Sequence, residues 1–390
     1  MNELKKIVHA YQATDFSQRK AALATVISVT GSSYRSPGAR MYITDDGRWY
    51  GSISGGCLEG DALRKAREVM QTGVPRMVTY DTMDDENPTL GVSLGCNGII
   101  HVLLEPIEEQ NDPMAFMLKL YEQEDIDALA TVYESENKQV QVANKWVFSN
   151  LTKKSQLTDI EKEIQQLLHQ SIEHRRSGIQ TVENTIGRYK VFLEVIEPPI
   201  HLMVFGGGYD AQPLVAMAKG LGWEVNVIDE CAAHLIPVNF PEAQLTSCHR
   251  SKVSDHAAPK PYSAAVLISH NYYYDMEVMQ QLLDTDIRYI GLLGPKKKGD
   301  KIKAELIEKG VEWNEDTTHR VHYPIGIDIG ADTPEEIALS ILAEIKAKFS
   351  GRSSGFLKYK TGPIHHKDPK SGEVFKQVYI HKSVRPAKNA

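Results

Sequence analysis

The chain repeats itself, and few sequence features restrict a fold more. Ala22 to Val26 reads ALATV and so does Ala128 to Val132, while VLLEPIE at 102–108 is echoed by VFLEVIE at 191–197. The two matches keep the same order and bracket segments of similar span, so residues 1–200 read as one domain made of two related halves. The halves differ in their loops. The first carries TGSSYRSPGARMYITDDGRWYGSISGGCLEG and later LGVSLGCNG, whereas the second carries SENKQVQVANKWVFSNLTKKS and a polar helix. Loops needed only as turns would be expected in both copies, so their one-sidedness points to function.

Glu197-Pro198-Pro199 ends this pattern. Beyond it, HLMVFG, EVNVID, SAAVLIS and RYIGLLG alternate with helical segments, from Asp210 to about Leu221 and near Met276 to Leu283, the order of a parallel sheet with crossover helices. A last helix is punctuated by Thr333 as N-cap, Pro334 at the first helical position and Glu336 completing a capping box, and should end near Gly351. The expected fold is α/β: an N-terminal duplicated α+β domain (1–197), then a C-terminal Rossmann-like doubly wound parallel sheet (198–350), with a basic tail (351–390) of no assignable chemistry.

Composition narrows the function. A chain of 390 residues exceeds the size at which single cores stop growing, and a net charge of −7 leaves no basic footprint for nucleic acid. No apolar run approaches the roughly 18 residues of a membrane span, and the first residues lack the apolar core of a signal peptide, so the expected location is cytoplasmic. Four scattered cysteines, at 57, 96, 231 and 248, are too few for a disulfide framework.

GGGYDA, Gly206 to Ala211, follows an apolar strand and opens a helix, the setting in which glycines let a pyrophosphate approach backbone N–H groups. Asp229 ends the next strand about twenty residues on, where an acid takes a ribose hydroxyl. His270 and Lys296 stand at two further strand ends of the same edge. Equally, the glycines can serve helix packing and the lysines a solvated helix start.

In the N-terminal half, Gly31, Ser32, Ser33, Arg35 and Arg40 offer hydroxyls, exposed amides and guanidiniums suited to phosphate or carboxylate. Ser54, Gly55 and Gly56 precede Cys57, and Cys96 and Asn97 lie in Gly-Cys-Asn-Gly. A thiol where a helix begins has a stabilised thiolate, which makes Cys57 a candidate soft-metal ligand, with Cys96 joining it if the fold brings it close. The plainer alternative is two buried thiols among turns.

TGSSYRSPGARMYITDDG, GSISGGCLEGD, GVSLGCNG, VFGGGYDAQPL, RYIGLLGPKKK and PIGIDIGADTPEEIALSILAEI together resemble the XdhC/CoxI proteins, accessory factors of xanthine dehydrogenase and carbon monoxide dehydrogenase. The resemblance runs from about Leu23 to about Lys348 and omits the tail. It implies a carrier that binds the molybdenum cofactor (molybdopterin) and delivers it to a xanthine-dehydrogenase-type molybdenum hydroxylase, with Cys57 and Cys96 as metal ligands. The run after His270, Asn-Tyr-Tyr-Tyr-Asp, departs from the family's usual histidine or acid and leaves that loop's role open. Two other readings remain: an NAD(P)-dependent oxidoreductase using GGGYDA, and a nucleotide-binding module with no metal role. A homodimer is expected from the frequency of two-fold symmetry alone.

Overall fold

The computed structural model describes residues 2–31, 33–56, 58–81, 98–184, 187–256, 259–260, 262–361, 366–367 and 374–375. The chain divides into one compact unit built on residues 3–197 and another built on residues 198–356.

The first unit opens with α1 (Asn2–Gln12), β1 (Ala21–Gly31), β2 (Arg40–Thr44), β3 (Trp49–Gly51), α2 (Glu59–Thr72), β4 (Arg76–Asp81) and β5 (Gly98–Pro106). Then follow α3 (Pro113–Tyr121), β6 (Asp127–Ser135), β7 (Lys145–Val147), the single turn α4 (Phe148–Leu151), α5 (Asp159–Glu173), β8 (Gly178–Asn184) and β9 (Gly187–Ile196). They form two antiparallel sheets, ordered β3-β2-β1-β5-β4 and β7-β6-β9-β8. The repeated ALATV segments lie in β1 and β6, inside the two sheets. Register repeats as well: Leu23 faces Glu105 as Leu129 faces Glu194, and a bulge follows both Val26 and Val132.

β1 is apolar along most of its length because both its faces are covered. Ala22, Ala24 and Val26 pack with Ala62, Ala66 and Val69 of α2. The bulge residue Ile27 belongs instead to a core with Leu103 and Phe192, against which its counterpart Tyr133 also packs. In the second half Ala128, Ala130 and Val132 meet Ile164 and Leu168 of α5. The layers are therefore helix, sheet, sheet, helix.

Two ion pairs cross between the sheets in reciprocal fashion. Arg40, beside Thr25 in the first half, pairs with Glu194 of the second; Lys145, beside Thr131 in the second, pairs with Glu105 of the first. All four side chains are nearly buried, at 10% exposure or less. Each cation also donates to the turn ahead of it, Arg40 Nη1 to the Gly38 carbonyl at 2.9 Å and Lys145 Nζ to that of Ala143 at 3.4 Å. Gly38 and Ala143 both adopt positive φ, at 87° and 72°. Stripping one partner from a buried pair costs about 3–5 kcal/mol, because a charge is left without compensation.

The second unit runs β10 (His201–Phe205), α6 (Ala211–Gly220), β11 (Glu224–Asp229), β12 (Gln244–Ser247), α7 (Val253–His256), β13 (Ser263–Leu267) and α8 (Tyr272–Leu283). It continues with β14 (Tyr289–Leu292), α9 (Lys296–Glu308), α10 (Glu315–Arg320), β15 (Val321–His322) and α11 (Pro334–Phe349). Its sheet is parallel throughout, in the order β12-β11-β10-β13-β14-β15, which is the 3-2-1-4-5-6 order of a Rossmann fold. The α/β class and the doubly wound sheet are as expected from sequence. The Thr333/Glu336 capping box is formed. Helix α8 starts earlier than the apolar spacing indicates, because the Asn271 side chain accepts from the amides of Tyr273 and Tyr274, both at 3.1 Å.

Candidate functional site

Residues 52–56 and Leu58 of the first half are tied together by one carboxylate. Ile53 and Leu58 are buried with Val29 and Ile100, which fixes the loop to the sheet. Just past Leu58, Glu59 turns back: it accepts from the Ser54 amide at 3.0 Å, the Ser54 hydroxyl at 2.6 Å, the Ser52 hydroxyl at 2.7 Å and the Leu58 amide at 3.2 Å. Burial alone would raise the Glu59 carboxyl, but these bonds from Ser54, Ser52 and the backbone outweigh it and hold the group below the ordinary carboxylate range. Ser54 Oγ also accepts from the amides of Gly56 and Leu58, at 3.2 and 3.1 Å.

That scaffold presents two glycines to solvent. Gly56 has φ +109°, and among the described residues beyond its chain neighbours no heavy atom lies within 4 Å of where a Cβ would stand. Gly55 is covered on one side by the Tyr34 ring, 3.1 Å from the corresponding point. Arg35, in the segment that follows β1, reaches the Ser52 loop, its Nε donating to the Ser52 carbonyl at 3.1 Å while its Nη2 pairs with Glu3. Ser33 is half-buried and accepts from the Arg35 amide. Gly31 closes β1 at φ +89° and pairs with Gly98 at the start of β5.

The structure thus brings Gly31, Ser33, Arg35, Ser54, Gly55 and Gly56 into one neighbourhood. Arg40 stands apart from these loops, its guanidinium held by Glu194 and the Gly38 carbonyl. Ser32, Cys57, Cys96 and Asn97 lie outside the described residues. Among the described residues no group of three or more His, Cys, Asp and Glu side chains is placed to hold a metal. Of the two remaining cysteines Cys248 is buried, and that burial pushes its thiol up, whereas Cys231 is exposed.

At the carboxyl edge of the parallel sheet, two of the three glycines serve packing. A Cβ on Gly206 would come within 2.7 Å of the Ser269 backbone, and one on Gly207 within 3.1 Å of His234; only Gly208 faces open space. Asp229 is already engaged, accepting from the amides of Gly207 and Cys231, both at 2.8 Å, and from His234 Nδ1 at 2.9 Å. His270, at positive φ, pairs through Nε2 with Asp210 Oδ2 at 2.9 Å. Lys296 is exposed at the start of α9, while Lys298 turns inward to the fully buried Asp275 at 2.6 Å, which also accepts from Ser269 Oγ at 2.6 Å.

Residues 17–81 match the description "XdhC and CoxI family", and residues 202–345 match "XdhC Rossmann domain". A Bacillus subtilis (strain 168) protein, named as a probable xanthine dehydrogenase subunit, is 30% identical over 331 residues, 84% of this chain and 93% of its own length. The chain belongs to the XdhC and CoxI family. Another relative of this XdhC and CoxI protein is the Escherichia coli (strain K12) "Molybdenum cofactor insertion chaperone PaoD", 23% identical over 84% of this chain and 83% of that one. A crystal structure described as a xanthine dehydrogenase from Bacillus halodurans shares the fold, with a TM-score of 0.61 and 23% identity over 89% of this chain and 95% of the other.

Within this XdhC and CoxI chain, sequence reasoning missed Glu59 as the organiser of the loop. The available signal was its place five and seven residues after two serines, at the start of an apolar-spaced helix. It also missed His234, which nothing in sequence ties to Asp229, and singled out Lys296 where Lys298 makes the internal contact.

Proposed function

We propose that this chain binds the molybdenum cofactor on the loops at residues 31–35 and 52–58 and delivers it to a molybdenum hydroxylase of the xanthine-dehydrogenase type. The observation that carries the reading is the structural equivalence of the two halves, of which only the first has the glycine loop and the connection formed by residues 82–97. The relative named as a cofactor insertion chaperone supports the same reading.

The donor set fits such a group. Cys57 follows the open Gly56 and directly precedes Leu58, the N-cap of α2, and no side chain caps that helix. Its first amides and the helix dipole favour a thiolate there. Glu59 opposes that effect as a like charge, tempered by the four donors that hold its carboxylate. Cys96 comes two residues ahead of Gly98, which pairs with Gly31 of the first loop. When bound, the cofactor supplies a molybdenum centre for which soft thiolate sulfur is a suitable ligand. The chain's own contribution is to present the two sulfurs, to offer glycine amides without side chains in the way, and to keep the loop rigid through Glu59. The docked state would be transient, and the protein a homodimer.

Metal and pterin analysis of protein made in a host that synthesises the cofactor tests this. Cys57→Ser and Cys96→Ser should each remove most of the molybdenum and the activation of a client hydroxylase, with thermal stability unchanged. Exchange at Cys231 or Cys248 should spare both activities. Stoichiometric molybdenum in both of the first two variants would overturn the proposal, and NAD as the sole bound ligand would favour the oxidoreductase reading.

A further inference from the structure

The parallel-sheet unit has the strand order, the glycine turn and the terminal acid of a ribonucleotide site, yet the acid is in use. A carboxylate offers about four lone-pair positions, and a ribose diol would need two of them. At Asp229 three are taken. The amides of Gly207 and Cys231 are part of the backbone that shapes the edge and cannot leave without dismantling it. His234 can leave: its ring is about half exposed, and it sits on a short 3₁₀ turn (Ala232–His234) rather than on a main element. The same residue lies over the glycine turn, its Cβ and carbonyl oxygen 3.1 Å from where a Gly207 Cβ would stand. His234 thus fills a hydrogen-bonding position that a ribose at Asp229 would need, and the same residue lies over the glycine turn.

We propose that His234 is a specificity-determining residue that competes with ribose hydroxyls for Asp229. In its observed position it holds the edge against ribonucleotides while leaving Gly208 accessible to a phosphate ester that places no ribose against Asp229. The inference does not depend on the cysteine loops of the first unit, so it stands or falls separately from the cofactor-carrier reading.

Titration calorimetry on the full chain, with AMP and inorganic pyrophosphate as probes, decides it. Replacing His234 by Ala should tighten AMP binding about tenfold, the worth of one hydrogen bond to a charged group, and leave pyrophosphate within about twofold. His234→Phe keeps a ring beside Asp229 but has no donor for it, so its gain for AMP should be smaller; it also serves if the alanine variant folds poorly. Equal AMP affinity in wild type and both variants would overturn the proposal, as would failure of all three to bind AMP. A tenfold gain for pyrophosphate as well would overturn it too, since His234 would then be only a lid on the phosphate turn.

Discussion

The two halves of the N-terminal unit share four strands, their register and a bulge, yet their connections differ. In the second half the connection from β8 to β9 is residues 185–186, with Asn184 paired to Gly187. In the first, residues 82–97 separate Asp81, which faces Ile99, from Gly98. The turn after β6 closes on itself, Asn137 Oδ1 accepting from the amides of Gln139 and Val140. Its counterpart after β1 reaches across through Arg35 to the Ser52 loop. Helix α5 is capped by its own chain, through the reciprocal Thr158 and Glu161 box, whereas α2 has Leu58 at the N-cap and no side-chain cap. A common frame can therefore be kept for its packing while one copy presents glycines to solvent and leaves its helix without a side-chain cap.

If that frame is as symmetric as it looks, breaking either crossed pair should do equal and severe damage. Arg40→Ala and Lys145→Ala should each lose about 3–5 kcal/mol in urea unfolding, because Glu194 or Glu105 is left buried and unpaired. A loss under about 1 kcal/mol at either position would break the symmetry. The loop difference is sharpened by Glu59→Gln, which turns an amide NH₂ toward groups that are themselves donors. A loss of about 2 kcal/mol is expected, with faster amide exchange at Ser54 and Leu58. Unchanged exchange there would show that the carboxylate does not organise the loop.

Smaller effects bear on the caps and on pH. Thr158→Ala in the closed half should cost about 1 kcal/mol and leave cofactor retention untouched. Because Glu59 is held below its ordinary value in the folded state, its contribution is fully present above the unfolded carboxylate pKa. It should be lost as pH falls through the depressed folded value. Acid titration followed by exchange at the Ser54 amide should therefore show no loosening near neutrality. Loosening between about pH 6 and 8 would assign the effect to another group.

Much of this architecture is legible before folding. The ALATV and LLEP/FLEV echoes place strands that are indeed equivalent, since identical apolar alternation asks for the same two covered faces. Thr333, Pro334 and Glu336 announce α11 because capping is settled among residues a single turn apart. The candidate site was legible only as a list of loop residues. Arg40 looked as available as Arg35, and nothing local says that one guanidinium faces the loops while the other is buried.

What the sequence determined by itself was periodicity: two copies of one antiparallel pattern, then strand and helix in alternation around GGGYDA, all set by interactions between near neighbours. Tertiary structure alone decided which side chains meet. Arg40 finds Glu194 across 154 residues of sequence, and His234 and Gly207 converge on Asp229. Lys298 rather than Lys296 reaches Asp275, because two positions along a helix lie about 200° apart and only one of them can face inward. Chemistry at a site depends on such convergence, and convergence is fixed by which faces the packed layers turn toward one another.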